Sequence, residues 1–270
     1  MIRPRLIATD LDGTFLSPDG TVSDENKQAV AAAAAAGLPL VFVTGRPPRW
    51  LGVLSDLPLA HPTVIASNGA MLWDIEENRA LWSKTIPSTL AVAAVHAIRA
   101  ELPEASFGFE QGMRFGFDAK YRLGLQRDEA LARPEFFTGD IEDMAREPFV
   151  KLLVQHDCLS SDDLAHQVSE LIGDSLTVTH STWGNLGLLE LSAPGVTKAT
   201  TLARYAESLG VAANEVAAFG DMPNDLSMLS WAGMPFVMAE SHPVLFDLPK
   251  ARRIGSNAES AVGRMIQEWV

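Results

Sequence analysis

Five short apolar runs, each closing on a polar or glycine-containing stretch, constrain this chain more than any other feature. They are RLIATD (5–10), LPLVFVTG (38–45), TVIASNGAML (63–72), EVAAFG (215–220) and PFVMA (235–239). Apolar runs of this length, with no polar alternation, read as strands buried on both faces. Between the first two lies SDENKQAVAAAAAAG (23–37), which reads as a helix. Ser23 suits its N-cap, Asp24 and Glu25 suit its positive end, and Gly37 suits its stop. Its alanine run suits close packing of helix on sheet. Strand, helix, strand, helix, strand in this order predicts a parallel α/β sheet.

The rhythm breaks in the middle of the chain. Ser88–Glu101 reads as a helix, and SFGFEQGMRFGFD as a hairpin turning at Gln111-Gly112. FVKLLVQH reads as a strand, Ser161–Ile172 as a helix, and SLTVTHS and LGLLELS as two more strands. Clustered strands with interspersed helices predict an α+β segment with antiparallel pairing. The α/β rhythm returns with a helix over Thr197–Leu209, followed by the strand EVAAFG, a helix over Asp225–Trp231, the strand PFVMA and a helix near Ala258–Trp269. The expected division is therefore a core of residues 1–83 and 188–270, with an inserted α+β cap of residues 84–187.

Charge and cysteine content narrow the functional classes. A formal net charge of −13 over 270 residues argues against non-specific binding to nucleic acid or an anionic membrane. An anionic substrate would have to be held by a local positive pocket. One cysteine, Cys158, rules out an internal disulfide framework and a cysteine-based zinc site, fits a cytoplasmic setting, and reads as an inert packing residue. The uncharged stretch from Gln28 to Gly45 is cut by Gly37-Leu38-Pro39, so it reads as helix, turn and strand, not as a membrane span.

In doubly wound sheets, ligands lie outside the carboxyl ends of the strands. Four such ends here are TDLDGT (9–14), VTGRP (43–47), SNGA (67–70) and FGDMPND (219–225). Side by side they would gather Asp10, Asp12, Thr44, Asn68, Asp221 and Asp225 on one rim. Four carboxylates together call for a hard cation with oxygen ligands, of which magnesium is the natural choice. A carboxylate beside such an ion can attack phosphorus, and a second one two residues on can move the protons. Asp10 fits the nucleophile and Asp12 the general acid and base. Gly13 permits a sharp turn, and the Thr14 hydroxyl is placed to hold a carboxylate. Thr44 with the Gly45 amide, and Lys198, supply donors for phosphate oxygens.

Asp10-Leu11-Asp12-Gly13-Thr14, with VTGRP around Thr44, GVTKAT around Lys198 and GDMPNDLSML around Asp221, Asn224 and Asp225, resembles the motif quartet of the haloacid dehalogenase-like phosphatases. SNGA and GVTK resemble the Cof-type branch, and the resemblance spans the whole chain. It implies a Rossmann-like doubly wound α/β core with a large inserted α+β cap. It implies a magnesium site made by the Asp10 carboxylate, the Asp12 carbonyl and Asp221, with Asp225 supporting the metal shell. It implies that Thr44, Gly45, Lys198 and Asn224 hold the phosphate. Arg46, Asn68 and Gly69 are further candidates near the substrate. Two departures, Met222-Pro223 after the metal aspartate and MAES (238–241), bear on the entrance and not on the catalytic groups.

The expected activity is magnesium-dependent hydrolysis of small phosphate monoesters, sugar phosphates first, through an aspartyl-phosphate on Asp10. Phosphoryl transfer to a second hydroxyl, as in a phosphomutase, would use the same intermediate. A binding protein on this scaffold is the third reading, and its mark would be a missing nucleophile or lysine. In the inserted segment Arg114, Lys151, His180, Trp183 and Asn185 read as surface or packing residues.

Overall fold

The structure is a computed structural model and describes residues 3–124, 126–182 and 186–270. Trp183 and Asn185 lie outside the described residues. The chain forms two compact units. The first runs through Arg46 and includes Trp50–Trp82 and Thr197–Val270, and the second holds Pro47–Arg49 and Ser83–Val196.

The first unit begins with β1 (Leu6–Thr9), α1 (Asp24–Ala35), β2 (Leu40–Val43), β3 (Thr63–Ala66), β4 (Met71–Asp74) and β5 (Arg79–Ser83). The second contributes α2 (Ser88–Glu101), β6 (Ser106–Glu110), β7 (Phe115–Phe117), α3 (Arg127–Leu131), β8 (Phe136–Thr138), α4 (Ile141–Met144), β9 (Lys151–His156), α5 (Ser161–Ile172), β10 (Thr177–Thr179) and β11 (Gly187–Ser192). The chain then re-enters the first unit with α6 (Lys198–Ser208), β12 (Val216–Gly220), α7 (Leu226–Trp231), β13 (Met234–Val237), β14 (Arg252–Arg253) and α8 (Ala261–Gln267).

Among the described residues the first unit carries a sheet of order β14-β13-β12-β1-β2-β3-β4-β5. The strands from β14 to β3 are parallel, and β4 turns back antiparallel on β3. Strand order reverses on either side of β1, so the ends of β1, β2 and β12 meet at a switch point. One face of the sheet packs Leu6, Ala8, Val41, Val43 and Ile65 against Leu202 and Ala206 of α6 and Met228 and Leu229 of α7. Each fully buried Leu, Ile or Val side chain contributes about 1.5–3 kcal/mol. Close packing needs small groups elsewhere too: the Gly263 amide of α8 donates to Asn26 Oδ1 of α1 at 2.9 Å.

The stretch TVIASNGAML is not one strand. It is β3, a tight reversal and β4, because Ser67, Asn68 and Gly69 all take positive φ (51°, 57° and 97°). At Gly69 a side chain is barred by space as well, since a Cβ would lie 2.2 Å from the Thr197 carbonyl oxygen.

The second unit is built on a sheet of order β10-β11-β9-β6-β7-β8, antiparallel except for β7 with β8. β11 pairs with β9 and β10 inside this sheet, so the return to the first unit comes at Thr197, later than the expected edge at Leu188. Period-two alternation gives the sheet unlike faces. Phe107, Phe109, Leu152, Val154, Leu189 and Leu191 are fully buried, as are Val95 and Ile98 of α2 and Leu164 and Val168 of α5. The alternate positions include Glu110, Lys151 and Glu190. Arg49 Nη1 donates to Glu110 Oε1 at 2.5 Å, and Lys151 is ion-paired with Glu190. His180 is buried with Nε2 3.0 Å from Asp162, and Arg114 stacks on Phe137. Cys158 is exposed, so it is not the packing residue the sequence suggests. It sits in the turn after β9, outside the apolar alternation.

Candidate active site

β1 ends at Thr9, and the next amide, Asp10, donates to the Phe219 carbonyl of β12 at 3.0 Å. This bond carries the sheet ladder one residue past the strand and fixes where the Asp10 carboxylate starts. The chain then turns at once. Asp12 is extended (φ −75°, ψ 129°) and Gly13 takes φ +73°. The turn presses the backbone against a carboxylate: a Cβ on Gly13 would lie 2.2 Å from Asp221 Oδ2. Thr14 Oγ1 donates to the other oxygen of Asp221 at 2.7 Å. Both residues after Asp12 thus serve to place Asp221, just past the end of β12.

Lys198 is the first residue of α6. Thr197 caps the helix, its side chain accepting from the Thr200 amide, and Thr201 Oγ1 donates to the Gly69 carbonyl at 2.6 Å. These contacts set the lysine stem. Its Nζ donates to Asp10 Oδ1 and to Asp225 Oδ1, each at 2.6 Å. Asp225 Oδ2 accepts from the amides of Asp221 (3.0 Å) and Met222 (3.1 Å), closing the loop after β12.

The strand ends of β2 and β3 join the same rim. The Thr44 amide donates to the Ile65 carbonyl at 2.8 Å, and the Asn68 amide donates to the Thr44 carbonyl at 3.0 Å. Asn224 Nδ2 donates to Asn68 Oδ1 at 3.0 Å, while Asn224 Oδ1 is buried without a partner. Thr44, Asn68, Asn224, Asp225, Lys198 and Asp10 therefore form a continuous chain drawn from four strand ends and one helix start. Gly69 belongs to the α6 anchorage.

Asp10, Asp221 and Asp225 each offer an oxygen within 4.8 Å of the others, and all three are buried. Burial pushes the Asp10 carboxyl well up, and Asp225 and Asp221 add to this against the pull of Lys198. Burial, then Asp225, pushes Asp221 up to about 7. Burial would push the Lys198 ammonium down, but Asp10 and Asp225 outweigh it and hold it above its ordinary value. One lysine cannot neutralise three buried carboxylates, and the donors are all oxygen, so the set fits a hard divalent cation. Asp10 and Asp221 have oxygens to offer one. Both oxygens of Asp225 are already engaged, which suits the supporting place expected for it.

The sequence matches the haloacid dehalogenase-like hydrolases over residues 7–266. The chain belongs to that family. Among curated relatives of this hydrolase, 5-amino-6-(5-phospho-D-ribitylamino)uracil phosphatase YcsE of Bacillus subtilis is 26% identical over 98% of this chain and 96% of its own length. HMP-PP phosphatase of Klebsiella pneumoniae is 27% identical, again over 98% of this chain and 96% of its own. The fold matches that of SMU.1108c from Streptococcus mutans with a TM-score of 0.82, at 19% identity and 98% coverage of both chains.

Two expected residues of the hydrolase, Arg46 and Asp12, pair with each other. Arg46 was expected near the substrate, but its guanidinium is paired with Asp12. The Asp12 carboxylate lies outside the cluster of Asp10, Asp221 and Asp225, while the metal role expected of Asp12 falls to its backbone carbonyl. The roles of Thr201 in holding the β3–β4 turn, and of the Asp221 carbonyl in accepting from the His242 amide at 2.8 Å, carried no sequence signal.

Proposed function

We propose that the protein is a magnesium-dependent phosphatase that hydrolyses small cytoplasmic phosphate monoesters, sugar phosphates first, through an aspartyl-phosphate on Asp10. The observation that carries this reading is the buried lysine bridging Asp10 and Asp225, with Asp221 beside them. A buried nucleophilic carboxylate with its own cation, next to a second carboxylate suited to a metal, is the equipment for displacement at phosphorus. The relatives are named phosphatases, and one is named for a substrate phosphorylated on a ribityl chain, which supports a sugar-like alcohol.

Asp10 and Asp221, with the Asp12 carbonyl, would hold the magnesium ion. When bound, the ion neutralises charge shared by the phosphate and carboxylate oxygens. Asp10 Oδ attacks phosphorus as the ester P–O bond breaks, and the departing oxygen takes a proton from the Asp12 carboxyl. Asp12, now ionised, takes a proton from water, whose oxygen attacks phosphorus and releases phosphate from Asp10. Lys198, Thr44, the Gly45 amide and Asn224 hold the phosphate oxygens in both steps.

The test is phosphate release from a panel of sugar, nucleotide and cofactor phosphates, with and without magnesium, using Asp10→Asn as the blank. Release that requires both magnesium and Asp10 supports the assignment. Release unaffected by Asp10→Asn overturns it.

A further inference from the structure

Each of the two aspartates after β1 has its own cation. Asp10 is buried against Lys198. Asp12 is different: its side chain is 60% exposed, and it is gripped by Arg46 through a two-bond fork. Arg46 Nε donates to Asp12 Oδ2 at 2.8 Å and Arg46 Nη2 to Asp12 Oδ1 at 2.6 Å. No other described side chain shares this carboxylate. Arg46 is itself held on several sides. Its Nη1 donates to the Trp50 carbonyl at 3.3 Å, its amide donates to Thr44 Oγ1 at 3.0 Å, and its carbonyl accepts from the Ser67 amide at 3.0 Å. The fork is thus mounted on the same loop that carries Thr44.

We propose that Arg46 is a positioning residue for Asp12, fixing the plane and direction of the acid–base carboxyl, and not a substrate contact. The inference rests on the phosphatase reading and adds to it. A planar guanidinium that meets both oxygens fixes orientation as a point charge does not. An exposed carboxyl without such a grip samples several rotamers, and catalysis is steep in misplacement of the transferring group. The Asp12 end of the pair is open to solvent, so screening limits what the pair adds to stability. Its removal should therefore change chemistry without unfolding the protein.

The role predicts a dependence on the leaving group. Proton donation from Asp12 to the departing oxygen matters for an alkyl ester, whose alkoxide is a poor leaving group. It matters little for p-nitrophenyl phosphate, whose phenolate leaves unprotonated. The quantity to compare is kcat/KM, because it covers only the steps through departure of the alcohol.

The experiment measures kcat/KM of the full-length protein with magnesium on glucose 6-phosphate, glycerol phosphate and p-nitrophenyl phosphate. Arg46→Gln is expected to lower kcat/KM for the better alkyl ester by about 100-fold, the scale of acid–base assistance, and for the aryl ester by less than about threefold. Arg46→Lys should fall between. In an Asp12→Asn background, Arg46→Gln should cost less than about twofold more, because the group it orients no longer transfers a proton. Thermal unfolding of each variant identifies any that fail to fold, and Arg46→Lys then carries the comparison. Equal losses on alkyl and aryl esters, or full additivity with Asp12→Asn, would overturn the positioning role and return Arg46 to phosphate binding. Absence of Asp10-dependent release from any ester by the parent protein would overturn the phosphatase reading, and this proposal with it.

Discussion

Lys198 Nζ stands 2.6 Å from Asp10 Oδ1 with both groups buried, so the amine and the carboxylate that share the chemistry also share a desolvation cost. Neither is comfortable without the other. Substitution at either position therefore acts on stability as well as on rate, and the two effects have to be measured apart.

Asp10→Asn removes the attacking oxygen but keeps the shape. Lys198 retains Asp225 as a partner, so the fold should persist. Turnover should be abolished at every substrate concentration. Circular dichroism alongside a phosphate-release assay separates loss of catalysis from loss of structure.

Lys198→Ala leaves Asp10 and Asp225 buried without their cation. Breaking a buried pair in this way costs about 3–5 kcal/mol, read as a lower urea midpoint. The rate should fall by about 100-fold or more, the effect of removing a preorganised donor from a reacting oxyanion. A fall of less than tenfold in a folded variant would mean that the lysine is structural alone.

Gly13→Ala forces a Cβ into Asp221 and asks alanine to hold φ +73°. The expected result is a stability loss of about 1–3 kcal/mol and a magnesium requirement shifted to higher concentration. Titration of activity with magnesium checks the second part. An unshifted midpoint would mean that Asp221 yields without consequence.

Asp221 lies near 7 in the fold against an ordinary 3.8. The folded metal-free protein then binds a proton there that the unfolded chain has already lost, so between these values stability falls as pH rises. Metal-free Tm should decline from about pH 5 to about pH 7.5, and Asp221→Asn should flatten this slope. Magnesium displaces the proton, so its binding should tighten over the same range with proton release, measurable by calorimetry in buffers of different ionisation enthalpy.

In the inserted unit, Glu190→Ala removes the ion-pair partner of the buried Lys151 while Glu110 stays near it, and should lower stability by about 1–3 kcal/mol. Replacing both residues, as Lys151→Met with Glu190→Leu, should cost much less. Urea denaturation of the three proteins checks the contrast.

Much of this was legible in the sequence, and the exceptions have physical causes. β1, β2, β12 and β13 announce themselves because both faces are buried, leaving unbroken apolar runs. α2 and α5 show the helical period, and α5 also shows an N-cap at Ser160. The β3–β4 reversal is hidden because Ala66 and Ala70 flank it with apolar character, and serine gives no warning of the positive φ at Ser67. α3, β8 and α4 are too short to display a period. The rim residues could be gathered from sequence because strand ends in a doubly wound sheet converge wherever their order reverses. The Arg46–Asp12 fork could not, since it joins residues 34 apart through two side-chain rotamers. The engagement of both Asp225 oxygens was equally invisible, being a matter of which lone pairs the Asp221 and Met222 amides reach.

Lys198 opens α6 one residue after the chain re-enters the first unit at Thr197, and everything that fixes it belongs to that unit: the Thr197 cap, the Thr201 bond to Gly69, and the carboxylates of Asp10 and Asp225. None of these anchors draws on a residue between Ser83 and Val196. The anchors of the lysine are therefore independent of the insertion, although Arg49, which pairs with Glu110, is not. A chain that exchanged the insertion for another folded segment between the same two seams would keep its lysine in register, so new substrates become reachable by recombination without rebuilding the chemistry.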